Sequence, residues 1–317
     1  MSDVVHRTVR TNGIDMHVAE QGQGPTVVLC HGFPELWYSW RHQLGALADA
    51  GYHAVAPDQR GYGSSDRPSA IEDYDIMHLT GDLLGLLDAM GEDEAVFVGH
   101  DWGAPVVWNL ALRAPERVRA VVGMSVPFLP RGDVDPISTF EAIFGDRFFY
   151  MLYFQEPGVA DADLGRDPRD TLHRFMAAIS AEGAAEAFRP LPREGTGLTD
   201  WLPEPAGLPG WLSEADLDYY TAEFTRTGFT GGLNWYRNLR RNWVLTEPLA
   251  QTKVVAPALF IAGEADPVVL MAPPTDMAEW VPDLRSVLML PETGHWTQQE
   301  RPTEVNAALL EFLDALD

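Results

Sequence analysis

Cysteine, basic residues and long apolar runs are scarce in this sequence. Its single cysteine, Cys30, has no partner for an internal disulfide, which is typical of a protein from a reducing compartment. We expect Cys30 to be a buried strand residue, because it ends the apolar run at residues 26–30. The N-terminal stretch MSDVVHRTVR contains no apolar leader, and no run reaches the roughly 18 to 20 apolar residues needed to cross a bilayer. We therefore expect a cytoplasmic protein.

Positive charge is also in short supply, with 22 Lys and Arg residues against 47 Asp and Glu residues and a formal net charge of -25. Such a surface repels phosphate backbones and anionic headgroups, so we expect no nucleic-acid partner and no membrane partner. The sequence has no H-E-x-x-H motif or cysteine pair of the kind that binds metals. Residues 61–63, GYG, lack the third glycine of a dinucleotide-binding loop and are interpreted as a turn. We therefore expect no metal and no cofactor.

What the chain does contain is an alternation of strand and helix patterns. A hairpin turned by Asn12-Gly13 opens it, and apolar strand candidates then alternate with amphipathic helix candidates such as residues 75–90 and 102–113. This alternation predicts an α/β fold with a mostly parallel central sheet flanked by helices. The strand candidates are TVVLC, HAVAPD, AVFVGH, AVVGMSV, PALFIAGEAD and SVLMLPETGH, and the last helix candidate is PTEVNAALLEFLDAL.

The alternation is interrupted in the middle of the chain, where the pattern becomes mainly helical with Pro and Trp breaks. We predict that residues 1–128 form the first part of an α/β core and that residues 250–317 form its second part. Residues 129–249 are then an inserted helical cap. The helical segments of this region are FEAIFGDRFFYMLYF, PRDTLHRFMAAISAEGAAEAF, SEADLDYYTAEFTRTG and GGLNWYRNLRRNWVL.

The stretch VGHDWG, residues 98–103, lies where a predicted strand passes into a predicted helix. Many hydrolases place a nucleophilic serine at this point, in a G-x-S-x-G turn, but here the position holds Asp101. A nucleophile on such a strained turn needs small neighbours two residues to either side, and Gly99 and Gly103 provide them. The pattern predicts that Asp101 is a nucleophile.

Two further ionisable residues follow predicted strands of the same sheet. Asp266 comes after ALFIAG and His295 after SVLMLP, so both should lie with Asp101 at the carboxyl edge of the parallel sheet. The chain order of nucleophile, acid and histidine is that of the α/β-hydrolase triad. Glu264 is an alternative acid in the same loop, but the shorter Asp266 side chain is favoured because fewer torsions must be frozen to hold the imidazole.

An oxyanion hole is expected next to Asp101. The helix after the nucleophile directs backbone N–H groups toward the site, and the loop CHGFP after an earlier strand should supply a second donor. This nominates the backbone N–H groups of Phe33 and Trp102. The alternative interpretation of residues 31–34 is a simple tight turn.

An aspartate nucleophile narrows the chemistry. It displaces a leaving group from a saturated carbon and becomes an alkyl ester, which a histidine-activated water can then open. The oxyanion hole would stabilise the tetrahedral intermediate formed on Asp101 itself. The substrate is therefore an epoxide or an alkyl halide.

Seven segments resemble those of soluble-type epoxide hydrolases of the α/β-hydrolase fold, and the resemblance covers nearly the whole chain. They are HGFPELWYSW, PDQRGYGSSD, GHDWGAPVVW, YFQEPGVADADL, GGLNWYRN, GEADPVV and TGHWTQQERP. The resemblance implies hydrolysis of epoxides to vicinal diols without a cofactor. It also implies that two cap tyrosines, at positions matching Tyr150 and Tyr236, bind the epoxide oxygen. Tyr153 lies nearly on the same helical face as Tyr150 and is the next candidate.

Tryptophan occurs in the VGHDWG turn and is abundant in the predicted cap, which favours an apolar substrate. We expect Trp37, Tyr153, Trp235 and Trp296 to line its pocket. The expected partners are a small-molecule epoxide and water, and a homodimer stays open as an oligomeric state.

Two other functions stay open beside the epoxide hydrolase. A haloalkane dehalogenase uses the same triad and binds halide through N–H donors, and Trp102 satisfies half of that requirement. A non-catalytic ligand-binding protein of the same fold would keep the pocket without turnover.

Overall fold

The computed structural model of the protein describes residues 3–183 and 190–316, and strands within them form one eight-stranded sheet. The order of the strands in the sheet is β1-β2-β4-β3-β5-β6-β7-β8. Pairing is antiparallel between β1 and β2 and between β2 and β4, and parallel elsewhere. The strands are β1 (Val5–Thr11), β2 (Ile14–Gly22), β3 (Thr26–Cys30), β4 (His53–Pro57), β5 (Ala95–His100), β6 (Val118–Met124), β7 (Ala258–Gly263) and β8 (Leu284–Leu290).

Fifteen α-helices lie within the described residues. They are α1 (Arg41–Asp49), α2 (Ile76–Met90), α3 (Gly103–Arg113), α4 (Pro136–Phe144), α5 (Tyr150–Tyr153), α6 (Val159–Leu164), α7 (Pro168–Ala178), α8 (Leu198–Trp201), α9 (Glu214–Thr227), α10 (Thr230–Arg237), α11 (Leu239–Leu245), α12 (Pro267–Met271), α13 (Met277–Trp280), α14 (Thr297–Glu300) and α15 (Pro302–Asp314). Within the described ranges, none of these helices is long and apolar enough to cross a membrane.

The N-terminal hairpin forms because Asn12 and Gly13 adopt left-handed backbone angles, with φ of 40° and 84°. Two such residues make the turn that matches the twist of the flanking strands. The predicted hairpin is confirmed by the antiparallel pairing of β1 with β2.

The parallel strands are apolar throughout because helices cover the sheet on both sides. Every residue of β3, β5 and β7 is buried. Apolar side chains of α1 and α15 pack on one face of the sheet, and those of α2 and α3 pack on the other. The predicted α/β fold with a mostly parallel sheet is confirmed.

The middle of the chain is helical, with α4 to α11 lying between β6 and β7. The segment FEAIFGDRFFYMLYF is divided between α4 and α5, because Gly145 ends α4 with a positive φ of 55°. The end of the segment PRDTLHRFMAAISAEGAAEAF, residues 184–188, lies outside the described residues. The cap boundaries at 129–249 stay a prediction.

Candidate active site

The turn between β5 and α3 places Asp101 at the carboxyl edge of the sheet. Asp101 has a φ of 49°, which is strained for a residue with a side chain. A Cβ atom on Gly99 would lie 2.2 Å from the Gly103 carbonyl oxygen, and one on Gly103 would lie 2.0 Å from the Cys30 carbonyl oxygen. Both positions therefore need glycine for the strand and helix to approach this closely.

The ends of β5, β7 and β8 bring Asp101, Asp266 and His295 together. His295 Nδ1 is 3.1 Å from both carboxylate oxygens of Asp266, and His295 Nε2 is 3.4 Å from Asp101 Oδ2. Asp266 and His295 are fully buried. Glu264 is exposed, so the structure places Asp266 and not Glu264 against the imidazole.

The two carboxylates control the protonation of His295. Burial alone would lower the pKa of this imidazole, but Asp266 and Asp101 outweigh the burial and hold the pKa well above its usual value. In the free protein the imidazole is therefore a cation between two anions. Loss of the charge on either carboxylate lowers this pKa.

The loop after β3 supplies a backbone donor to Asp101. The Phe33 N–H donates to Asp101 Oδ1 at 2.8 Å. A Cβ atom on the preceding Gly32 would lie 2.3 Å from the same oxygen, so glycine is required there. The Trp102 backbone N–H, at the start of α3, stays a prediction as the second donor.

A buried polar network that the sequence analysis missed supports these loops. The Glu35 carboxylate accepts hydrogen bonds from the Gly32 N–H at 2.9 Å and from the Gln298 side chain at 2.9 Å, and lies 2.7 Å from His100 Nδ1. Burial raises the pKa of Glu35, but His100 outweighs it and lowers the pKa to about 2. His100 Nε2 in turn donates to the His295 carbonyl oxygen at 2.7 Å. The segments HGFPE and GHD carried this signal, since both place an ionisable residue beside the predicted site.

Two phenols from the helical region face Asp101. Tyr150 begins α5 and Tyr236 lies in α10, and their ring centroids are 6.0 Å apart. Burial, followed by the charge on Asp101, raises the pKa of both phenols well above the usual value. Both phenols therefore stay protonated at neutral pH and are able to donate a hydrogen bond or a proton.

Two cavities meet at these residues. Asp101, Tyr150, Tyr236 and Val268 line both of them. The larger cavity has a volume of about 360 Å³ and the smaller one of about 30 Å³. The remaining wall of the larger cavity consists of Trp102, Pro105, Val126, Leu129, Phe140, Ile143, Phe144, Phe149, Met151, Met271 and Ala272. The remaining wall of the smaller cavity consists of Phe33, Phe175, Ile179, Trp201, Leu202 and His295.

Tyr153 lies outside the lining of these two cavities, which corrects the prediction that it belongs to the substrate pocket. Its hydroxyl donates to Asp163 at 3.2 Å, so the side chain points away from Asp101. Residues three apart in a helix differ by about 60° in direction, and the bond to Asp163 holds the Tyr153 hydroxyl outside both linings.

Three predicted pocket tryptophans also lie outside both linings. The Trp37 indole donates to the Tyr219 hydroxyl at 2.8 Å, that of Trp235 to the Arg60 carbonyl at 3.1 Å, and that of Trp296 to the Met176 carbonyl at 2.8 Å. Trp235 and Trp296 are fully buried and Trp37 is nearly so. These indole bonds join segments of the scaffold around the site.

Acidic residues are abundant, yet in the ranges that the structure describes no group of three or more His, Cys, Asp or Glu side chains is arranged to hold a metal ion.

Comparison with known proteins places this geometry in a family. A family model described as the α/β hydrolase fold matches residues 25–302. Epoxide hydrolase A of Mycobacterium tuberculosis is 55% identical over 320 residues, covering 100% of this chain and 99% of the relative. Epoxide hydrolase 3 of Siraitia grosvenorii is 42% identical, covering 99% of each chain.

Solved structures give the same answer. The crystal structure of epoxide hydrolase A from Mycobacterium thermoresistibile superposes with a TM-score of 0.96 at 55% identity, covering 99% of each chain. An epoxide hydrolase from an endophytic Streptomyces superposes with a TM-score of 0.96 at 44% identity, covering 100% of this chain and 97% of the other. The family model, the full-length relatives and the solved structures agree, at identities well above 30%. The chain therefore belongs to the epoxide hydrolases of the α/β-hydrolase fold family.

Proposed function

We propose that this protein converts epoxides into vicinal diols through an ester between the substrate and Asp101. One observation carries the proposal beyond the family assignment: two protonated phenols, Tyr150 and Tyr236, face a carboxylate nucleophile across shared cavities. Opening of the ring creates an alkoxide, which is a poor leaving group without a proton donor. Here the carboxylate is the nucleophile, and the two phenols opposite it are the proton donors that the alkoxide needs.

The first step forms the ester. Because Asp101 Oδ1 accepts the Phe33 N–H, Asp101 Oδ2 is the oxygen available to attack an epoxide carbon. The carbon–oxygen bond of the ring breaks, and a phenol gives its proton to the departing alkoxide. The product is a hydroxyalkyl ester whose carbonyl oxygen is Asp101 Oδ1.

The second step opens the ester. Formation of the ester removes the charge on Asp101, so the pKa of His295 falls and the imidazole becomes a base. The proton that His295 loses returns to the phenolate, which becomes a neutral phenol again. Neutral His295 takes a proton from water, which attacks Cγ of Asp101, while the Phe33 N–H stabilises the oxyanion. Cleavage of the ester expels the second alkoxide, which takes the proton of the new carboxyl group, so the diol is released, the Asp101 carboxylate is restored and His295 is again an imidazolium.

The haloalkane dehalogenase is less favoured because of the surroundings of Trp102. Its ring meets the Tyr236 ring edge-on at 5.1 Å. The indole therefore lies beside a phenol whose proton an alkoxide leaving group needs and a halide does not. A binding protein without activity is also less favoured, because a non-reactive pocket needs no imidazolium between two carboxylates.

Turnover is the direct test. The purified protein should convert styrene oxide to its diol and leave 1-bromobutane unchanged, with Asp101→Asn as the inactive control. Chiral chromatography measures the diol, and a parallel assay measures the release of bromide. Together they distinguish the two activities. Bromide release without diol would move the assignment to the dehalogenase, and no turnover of either would favour a binding protein.

Isotope labelling tests the ester. In single-turnover hydrolysis in heavy-oxygen water, the label should enter Asp101 and not the diol, because water attacks the carboxyl carbon. The His295→Gln protein should then accumulate an adduct of one substrate mass on Asp101, detected by intact mass and peptide mapping. Label in the diol after a single turnover would mean that water opens the ring directly.

A further inference from the structure

A further cavity, here called the Arg131 cavity, lies beside the active site and contains none of its reacting groups. Its volume is about 340 Å³, close to the volume of about 360 Å³ of the larger cavity at Asp101. Neither the triad nor the two phenols line it. Four residues line both cavities and therefore lie between them: Trp102, Pro105, Val126 and Leu129. A cavity of this size is large enough to bind a small molecule of its own.

The Arg131 cavity is formed where the helical region joins the sheet. The chain that leaves β6 contributes wall residues between positions 126 and 136, and the chain that returns to β7 contributes wall residues between positions 239 and 252. Two hydrogen bonds join these segments. Arg131 Nε donates to the Trp243 carbonyl oxygen at 2.9 Å, and the Trp243 indole donates to the Gly132 carbonyl oxygen at 2.8 Å. The wall is therefore fixed by contacts of the protein itself.

The wall is mainly apolar and aromatic. The Phe128 ring centroid lies 6.1 Å from that of Trp108 and 6.5 Å from that of Trp280. Among the described residues that line the cavity, none is acidic and Arg131 alone is charged. The chain as a whole has 47 Asp and Glu residues against 22 Lys and Arg residues, so this composition is opposite to that of the chain. An apolar cavity with one cationic group favours a ligand with an apolar body and one negative charge.

Arg131 is held in a position suited to an anion. Its guanidinium carbon lies 3.8 Å from the centre of the Trp243 ring, and its Nε is bonded to the Trp243 carbonyl oxygen. No carboxylate within residues 3–183 and 190–316 forms an ion pair with Arg131, so its charge is not already balanced. The two Nη groups of an arginine are able to bind both oxygens of one carboxylate.

We propose that the Arg131 cavity is a second binding site, which takes a small apolar carboxylate. Arg131 binds the carboxylate group, and the aromatic wall takes the apolar body. The larger cavity at Asp101 is unsuited to the same ligand, because no basic residue lines it and Asp101 repels an anion. The proposal goes beyond the proposed function, since binding in the Arg131 cavity requires no epoxide chemistry.

A photoreactive aryl carboxylate, 4-(3-trifluoromethyldiazirin-3-yl)benzoate, is the probe. Its trifluoromethyl group allows binding to be measured by fluorine NMR, and we expect a dissociation constant of about 0.1 to 1 mM for a molecule of this size. Arg131→Gln should weaken binding about tenfold or more, the usual effect of losing a hydrogen bond to a charged group. Arg147→Gln is the matched control, because it removes the same charge from an exposed residue outside both cavities. It should leave the dissociation constant nearly unchanged.

A neutral analogue separates the charge of Arg131 from its packing. The corresponding benzyl alcohol should bind the unaltered protein and Arg131→Gln with similar affinity. Arg131→Lys, which keeps the charge, should recover part of the affinity for the carboxylate. Equal losses for the alcohol and the carboxylate in Arg131→Gln would mean that Arg131 only shapes the wall, which contradicts the proposal. Circular dichroism verifies the fold of each variant.

Illumination of the bound probe locates the site. The diazirine loses nitrogen, and the remaining carbene forms a bond to a neighbouring residue that peptide mapping identifies. The label should lie within residues 126–136 or 239–252. Label confined to residues 140–144 or 268–272, which border only the larger cavity, would place the carboxylate at the active site and overturn the proposal, as would absence of binding at millimolar concentrations. None of these measurements uses turnover, so a failure to hydrolyse epoxides would contradict the proposed function alone.

Discussion

At the scale of single residues, Asp266 and Asp101 together govern the pKa of His295. Burial lowers the pKa of the imidazole, whereas Asp266 and Asp101 raise it by more. In the proposed mechanism the same residue is therefore a cation before the ester forms and a base afterwards. Both carboxylate oxygens of Asp266 lie 3.1 Å from His295 Nδ1 and orient the ring.

This coupling predicts a measurable shift. Asp101→Asn mimics the neutral ester, so it should lower the pKa of His295 from the high value of the free protein. Histidine ring signals followed by NMR over a pH titration measure the change. By the same reasoning, decay of the ester in a single turnover should speed up as the pH rises through the lowered pKa. An unchanged His295 pKa in Asp101→Asn would mean that Asp266 alone controls it.

The phenols give a second prediction at this scale. Tyr150→Phe and Tyr236→Phe should each slow the opening of styrene oxide, and the double change should nearly abolish it. Loss of one oxyanion-type donor commonly costs about 10²- to 10³-fold in rate, although a second phenol on the same oxygen cushions a single loss. Stopped-flow tryptophan fluorescence measures the rate of ring opening. Circular dichroism verifies that each variant keeps its fold.

Tyr153→Phe is the matched control for these variants. Tyr153 lies in the same short helix as Tyr150, but its hydroxyl is bonded to Asp163 and it lines neither cavity next to Asp101. Ring opening should be nearly unchanged. A loss as large as that of Tyr150→Phe would mean that the hydroxyl bond to Asp163, and not proton donation at Asp101, supports the reaction.

At the scale of elements, the triad was predictable because each of its members follows a strand of the parallel sheet. Apolar runs locate β5, β7 and β8, and the carboxyl ends of parallel strands share one edge. The predicted helix at 75–90 begins one residue later, because Asp75 is the N-cap and accepts hydrogen bonds from the Met77 and His78 N–H groups. Local signals of this kind lie within a few residues of the feature they predict.

The lining of the cavities was not predictable in the same way. Trp235 and Tyr236 are neighbours in α10, so their side chains point about 100° apart, and only Tyr236 faces Asp101. Which of the two faces the site depends on how α10 packs on the sheet. The sequence pattern indicates a helix rich in aromatic residues, but it does not indicate how that helix packs on the sheet.

The turn between β5 and α3 leads to a prediction about the stability of the protein. Gly103→Ala should destabilise the protein by about 1 to 3 kcal/mol or more, because the added Cβ would lie 2.0 Å from the Cys30 carbonyl oxygen. Gly45→Ala in α1 is the control, since the nearest atom to its added Cβ is a side-chain oxygen at 3.9 Å. It should stabilise the protein by about 0.5 to 1 kcal/mol through helix propensity. Thermal unfolding of both variants compares them.

At the scale of the whole molecule, the alternation of strands and helices predicted the fold class and the net charge predicted the exclusion of anionic partners, whereas the space around the reacting groups required the structure. The volumes of the cavities depend on contacts between the helical region and the sheet, such as Trp201 against Tyr150 and Phe175 against Phe33. These residues are distant in sequence and have no shared motif. A single sequence therefore identifies the reacting groups more readily than the space around them.

The net charge of the molecule leads to a prediction about substrates. A formal charge of -25 gives the molecule a negative field, and none of the described residues that line the larger cavity is basic. The carboxylate of 4-(oxiran-2-yl)benzoate should therefore be repelled, while 4-methylstyrene oxide, of similar shape but neutral, should not. We expect kcat/KM for the carboxylate to be about tenfold lower or more at low ionic strength. It should rise several-fold as added salt shortens the screening length from about 30 Å at 0.01 M to about 8 Å at 0.15 M. The neutral compound should show no salt dependence over the same range. Equal salt dependence for both compounds would contradict an electrostatic origin and would indicate an effect of salt on the protein itself.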